Sequence, residues 1–291
     1  MIPRPDRLIS GLILVFLLLL SSTAASAQAD GLVLAQTMPE GVTFEVLAQE
    51  LGPVKVVDGA LFRVERLTVV CKGATGGIPA TQQMLYVEYG RVDVRDLASG
   101  EVLVTLDAGE SMGSAGVSGD IYLTGAPGHR ASVYRVSYGG SAVGAEGFPE
   151  STYETTDCAS GAGGEVQREP AMVETVFEGV LEAFANEGQQ MVFHAGVMTV
   201  EPGSALGRAY DMDGPAYISG GVGLVTPVVG GFGEGMVGMG GLFDPELAPG
   251  EVLSFGAQTQ VALENFGPTS TVALVFGMVR EDAPIFQAVH R

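Results

Sequence analysis

Around residue 90 the chain alternates. Leu85, Val87, Val92 and Val94 are apolar, Tyr86, Glu88, Arg91 and Asp93 stand between them, and Gly90 breaks the run. A period of two marks a strand buried on one face, so two strands meeting at a glycine turn are predicted. "ASVYRVSY" (131–138), "MVFHAGVMTV" (191–200) and "STVALVFGMV" (270–279) are apolar enough to be core strands. "VTFEVLAQEL" (42–51) and "VETVFEGVLEAFAN" (173–186) also fit an amphipathic helix; we read both as entry strands with irregular ends.

These segments recur in a fixed order. "LTVVCKGATGG" (67–77) resembles "GVMTVEPGSALG" (196–207), each an apolar strand running into a turn at Gly73 or Gly203. "MLYVEYGRVDV" (84–94) resembles "PAYISGGVGLV" (215–225), which matches Tyr86 with Tyr217 and Gly90 with Gly221. "VTLDAGESM" (104–112) resembles "PELAPGEVLSF" (245–255) on Gly109 and Gly250, and an apolar strand closes each half. Shared order over four landmarks points to a duplicated all-β unit. Short strands with frequent glycine turns suggest a sandwich or small barrel.

The ends and the middle differ from the repeats. Arg4 and Arg7 precede an apolar run at residues 8–20, and Ala25-Ser26-Ala27 follows as a small-residue cleavage site. Residues 1–27 are therefore predicted to be a cleaved export signal, the run being shorter than a spanning helix needs. Residues 28–138 form the first predicted barrel and 173–280 the second. Residues 139–172, rich in Gly, Ala and Ser, are a predicted linker, and 281–291 a tail. The expected location is secreted or otherwise extracytoplasmic.

Charge narrows the partners. Beyond residue 27 the chain keeps 12 basic and 33 acidic residues, a net charge of about −21. Such a surface repels nucleic acid and anionic headgroups, and no stable membrane span is expected. Two cysteines remain, Cys71 and Cys158. In an oxidising compartment an even count favours a bridge; two buried thiols are the alternative. A bridge would close a loop of about 87 residues and contribute roughly 4 kcal/mol.

"EPGSA", "LYVEYGRVDV", "LDAGESM" and "LAPGEVLSF" resemble the motifs of the cupin superfamily in its two-domain, bicupin arrangement. The resemblance covers roughly residues 42–138 and 173–279 and implies two tandem jelly-roll (double-stranded β-helix) barrels. It also implies where a metal would bind. Counting from Gly73, the family's two histidine places fall on Pro79 and Thr81; counting back from Gly90, its acid falls on Gln83. The later histidine place falls near Asp120. In the second half the corresponding places are Ala209, Asp211, Gly214 and Val261, with Asn265 matching a closing asparagine. No histidine stands at any of them, so neither metal nor other cofactor is expected.

Candidate chemistry is sparse. His194 lies on a predicted strand and could act as a base with Asp211 or Asp213, though a lone strand histidine is more often a hydrogen-bonded core residue. Tyr86, Glu88 and Tyr217 are candidate ligand-lining residues, against the plainer reading of core packing. Strand parity puts Tyr86 and Glu88 on one face and Gln83 and Leu85 on the other. His129 sits in a turn and His290 at the terminus. Residues 226–246, with Met236 and Met239, are read as a glycine-rich loop or hairpin without a first-half counterpart. The expected function is an exported, metal-free binding or structural protein rather than an enzyme. Its partner is an unidentified small molecule or protein, and homo-oligomers are allowed. The alternative is a metal-independent isomerase or epimerase using His194 with a carboxylate.

Overall fold

The computed structural model describes residues 38–51, 60–70, 74–75, 83–113, 120–125, 130–141, 153–154, 172–181, 191–207, 216–218, 221–225, 235–239, 242–244, 250–256, 260–281 and 283–287. All of them belong to one compact unit, Val33–Arg291. The first half supplies β1 (Val42–Leu51), β2 (Ala60–Val70), β3 (Ala74–Thr75), β4 (Gln83–Tyr89), β5 (Arg91–Asp96), β6 (Val102–Asp107), β7 (Ser111–Gly113), β8 (Ile121–Gly125), β9 (Arg130–Ser141) and β10 (Tyr153–Glu154). The second supplies β11 (Met172–Leu181), β12 (Met191–Val200), β13 (Ala205–Leu206), β14 (Ala216–Ile218), β15 (Gly221–Val225), β16 (Gly235–Met239), β17 (Leu242–Asp244), β18 (Val252–Phe255), β19 (Gln260–Asn265), β20 (Thr271–Arg280) and β21 (Phe286–Gln287). The described residues contain no α-helix, and the two segments with helical ambiguity are strands β1 and β11.

Four antiparallel sheets form. Two inner sheets have the orders β11-β2-β9-β4-β7 and β1-β12-β20-β15-β18. Two outer sheets have the orders β10-β3-β8-β5-β6 and β17-β16-β19-β14-β21, with β13 also on β19. Each outer sheet covers one face of an inner sheet and encloses an apolar interior. Leu67, Val69, Leu85, Val87, Val92 and Leu123 fill the first, and Met198, Val200, Val222, Leu224, Val261 and Val275 the second. The inner sheets then pack on each other through their remaining faces. Phe62 and Tyr138 meet Phe193 and Phe276 there, with Tyr138 stacked on Phe193 at 4.9 Å between centroids. Burying each such ring stabilises by about 2–3 kcal/mol.

The entry strands are exchanged between the halves. β1 pairs with β12 from Val42↔Val200 to Leu51↔Val192, so it completes the sheet of the second half. β11 pairs with β2 from Met172↔Thr68 to Leu181↔Ala60 and completes the sheet of the first. Each carries one register shift, Val46/Ala48 in β1 and Thr175/Phe177 in β11. A boundary drawn through the linear chain at 138/173 therefore does not separate the sheets. The linker contributes β10 to the first outer sheet, and the tail contributes β21 to the second.

Two details of the repeat need correction. Tyr217 lies on β14 of an outer sheet, whereas Tyr86 lies on β4 of an inner one. It is β15, opening at Gly221, that takes the place of β4, between β20 and β18. Period-two alternation around a glycine fits many strand pairs and fixes no register between them. Residues 226–246 do have a counterpart: β16 and β17 pair as a hairpin beside β19, as β5 and β6 do beside β8. Gly90 follows β4 whereas Gly221 opens β15, so those two glycines do not correspond, but Gly109 and Gly250 do. Gly109 and Gly250 share a φ of 85°, and at Gly90 (φ 84°) a Cβ would stand 2.5 Å from the Arg130 carbonyl oxygen.

Candidate functional site

Cross-strand rows describe the interior of the first barrel. From β2 across β9 to β4 they read Val69–Ala131, then Leu67–Val133–Val87, then Glu65–Arg135–Leu85, then Arg63–Ser137–Gln83. Because alternate residues share a face, Glu65 and Arg135 must point the same way as the core residues Leu67 and Val133. The barrel is thus apolar at one end and polar at the other.

At the polar end the charges are bonded to one another. The Arg135 guanidinium donates through Nε to Glu65 Oε2 at 2.8 Å and through Nη2 to the same oxygen. Both residues are buried, at 7% and 3% exposure, and Gln83 is buried beside them. Arg63 Nη1 stands 3.8 Å from Glu65 Oε1, and Arg63 also donates to Glu178 Oε2 at 2.8 Å. Glu178 comes from the exchanged strand β11, and its side chain is 39% exposed. Two guanidinium groups therefore meet one buried carboxylate and one at the rim.

A divalent cation does not fit this donor set. Gln83 faces the interior but offers an amide, and Glu65 is already taken by Arg135. Metal sites need oxygen or imidazole donors unopposed by fixed positive charge. Among the described residues no group of three His, Cys, Asp or Glu side chains converges as a ligand set.

The second barrel has a corresponding row, Gln49–His194–Gly277–Val222. It matches the Glu178–Arg63–Ser137–Gln83 row, as the register shifts of β11 and β1 align: His194 takes the place of Arg63 and Gly277 that of Ser137, while Gly196 and Val275 stand where the first barrel has Glu65 and Arg135. A Cβ on Gly277 would stand 2.4 Å from the Gly221 carbonyl oxygen, so the strands close on each other where the first barrel has Ser137. His194 faces the interior and is buried, and its Nδ1 has no hydrogen-bond partner. Burial lowers its pKa from 6.5 to about 4, which keeps the imidazole neutral at pH 7. Among the described residues no carboxylate contributes to that shift.

The other predicted residues are placed elsewhere. Tyr86 is buried in the core between the two inner sheets, on the face of β4 opposite Gln83. Burial, then the Glu88 charge, raises its pKa. Glu88, at the register shift of β4, accepts from Arg66 Nε at 2.9 Å, with Arg66 Nη2 also 2.9 Å away. Desolvation opposes the charge of Arg66, but the hydrogen bond and charge of Glu88 outweigh it and the pKa is raised. Neither Tyr86 nor Glu88 lines the first barrel. Asn265 is a brace: its Nδ2 donates to the Val200 and Thr269 carbonyls, both at 2.8 Å, tying β19 to the end of β12. Asp120 is exposed. Asp211, Asp213, Cys71, Cys158, His129, His290 and the predicted export signal lie outside the described residues.

Sequence reasoning missed Arg63, Glu65 and Arg135. The available signal was parity: each charge stands in step with the apolar positions of its own strand, Glu65 with Leu67 and Val69, Arg135 with Ala131 and Val133.

No protein family and no curated protein matches the chain by sequence. Solved structures do. Procruciferin, an 11S globulin from Brassica napus, matches at a TM-score of 0.50 and 11% identity, over 84% of this chain and 86% of that one. A putative glyoxylate-induced protein from Pseudomonas aeruginosa matches at 0.43 and 14%, over 86% and 84%. A point mutant of oxalate decarboxylase from Bacillus subtilis matches at 0.41 and 11%, over 87% and 78%. At such identities the likeness is one of fold alone.

Proposed function

We propose that this chain, a two-barrel cupin by fold, is an exported, non-catalytic binding protein whose first barrel receives a small organic anion at its polar end. The observation that carries this reading is the buried Glu65–Arg135 pair in a barrel whose twin does without one. A buried ion pair gains little stability over apolar residues of similar volume, because desolvation offsets the attraction. The second barrel fills the same row with Gly196, Val275 and Leu224, so the fold itself does not require the charges.

Charge balance supports an anion. Arg63 finds its nearest carboxylate in Glu178, which is 39% exposed and sits at the rim. A ligand carboxylate can replace Glu178 there and release that half-exposed side chain to water. A guanidinium holds a carboxylate through paired donors, which favours carboxylates over spherical anions.

The enzymatic alternative needs His194 paired with a carboxylate. Burial is the cause of its lowered pKa among the described residues, and Asp211 and Asp213 lie outside them.

The test is a panel of small mono- and dicarboxylic acids screened by thermal shift and followed by calorimetry. At least one acid should bind the parent, and Arg63→Gln should weaken it by tenfold or more. If no acid on the panel raises the melting temperature at millimolar concentration, the reading fails.

A further inference from the structure

Resting on the reading of the first barrel as an anion site, we propose that Glu178 is a built-in stand-in for the ligand's carboxylate. It occupies Arg63 in the empty barrel, must leave before an acid can enter, and so sets the affinity of the site. The register of β11 accounts for its position. From Thr175 opposite Glu65, an uninterrupted ladder would set Phe177 opposite Arg63 and Glu178 opposite Phe62. The phenylalanine would then face the barrel interior, and the carboxylate would face the apolar core between the inner sheets. The extra residue between Thr175 and Phe177 reverses this. Phe177 pairs with Val64 and packs on Phe276 at 5.6 Å between centroids, and Glu178 falls opposite Arg63.

The twin strand supplies the comparison. β1 carries the same irregularity, and the residue it sets opposite His194 at the matching place is Gln49. Each exchanged strand thus delivers a polar side chain to the other half's barrel, and the one that meets an arginine is the one that bears a charge. Strand exchange itself does not need that charge, since β1 pairs with β12 from Val42 to Leu51 without it.

The contact is suited to displacement. Arg63 donates through Nε to Glu178 Oε2 at 2.8 Å, and Nη2 stands 2.8 Å from the same oxygen. The Arg63 side chain is 13% exposed and that of Glu178 39%, so the carboxylate lies on the solvent side of the guanidinium and regains water when it leaves. Partly exposed pairs of this kind are held by a factor of about five at most. At that value about one-sixth of the molecules are open, and the apparent dissociation constant for an acid is raised about sixfold. One carboxylate leaves Arg63 as another arrives, so the exchange leaves the local charge balanced for a monocarboxylate.

The experiment titrates the full chain, Glu178→Gln and Glu174→Gln with acetate, propionate, lactate and malonate by calorimetry at pH 7 and constant ionic strength. Glu174 is the matched control. It lies on the same strand opposite Arg66, 3.9 Å from Arg66 Nη1, on the other face of the sheet and 68% exposed. Its loss removes the same charge without opening Arg63. Both variants should melt within a few degrees of the parent, because both pairs reach the surface. Glu178→Gln should bind at least one acid about threefold or more tighter than the parent, while Glu174→Gln stays within about twofold. Binding measurable in Glu178→Gln alone is the same result in stronger form. Equal tightening in both variants overturns the proposal, because the effect is then the general field of the acidic chain. Unchanged or weaker binding in Glu178→Gln, with the parent still binding, overturns it and leaves the anion site standing. No binding of any acid to any of the three proteins removes the anion reading and the stand-in with it.

Discussion

Replacing Glu65 by Leu removes the carboxylate that both barrel arginines approach. Arg135, whose side chain is 8% exposed, is left buried without the oxygen that accepts its Nε and Nη2 donors. Arg63, 3.8 Å from the lost carboxylate, becomes a like-charged neighbour. Breaking a buried pair from one side costs about 3–5 kcal/mol. Arg135→Met should cost roughly 1–2 kcal/mol less than that, because Arg63 is at hand to face the remaining carboxylate. The double variant, Glu65→Leu with Arg135→Met, removes both charges and keeps the Arg63–Glu178 pair at 2.8 Å. It should lie within about 1 kcal/mol of the parent, since apolar replacements of buried pairs are close to neutral. Urea unfolding of the four proteins closes the cycle, with constant m values showing that the denatured state is unchanged. Single variants that each cost under about 1 kcal/mol and add in the double would refute the reasoning. They would mean that Glu65 and Arg135 reach water and carry no buried coupling.

Two further perturbations test the rest of the structure. His194 titrates at about 4 when folded and near 6.5 when unfolded, so the unfolded chain takes up a proton that the folded one refuses between those values. The His194-dependent stability is complete above pH 6.5 and falls by roughly 3 kcal/mol as the pH drops to about 4. His194→Leu should therefore gain on the parent by about that amount from pH 7 to pH 4 in urea titrations, and a pH-independent difference would contradict the burial. A fragment ending at residue 138 lacks β11, and it exposes the inner-sheet face carrying Phe62, Tyr134 and Tyr138. It should show no cooperative thermal transition alone and should gain one when mixed with the complementary fragment; a sharp transition by itself would contradict the strand exchange.

Local features were legible in the sequence because they are properties of short segments. The alternation around Gly90 and the turns at Gly109 and Gly250 can be read without a partner strand. Partnership is decided by three-dimensional packing. Val42 finds Val200 and Met172 finds Thr68, and no periodicity in β1 or β11 says whether the neighbour is near or far in the chain. The offset of Tyr217 from Tyr86 has the same origin, since register follows from which face is covered. The polar end was hidden for a related reason. Glu65 and Arg135 are 70 residues apart, and each looks like one polar position in a strand until the ladder sets them side by side. The alternation did predict correctly that Tyr86 and Gln83 point to opposite faces.

Isothermal titration of the parent and of the Arg63→Gln variant with the best acid from the panel probes the account most directly. The account predicts saturable one-to-one binding to the parent and at least a tenfold loss in a variant that remains folded. Equal affinity in the two proteins would place the ligand outside the first barrel and contradict it.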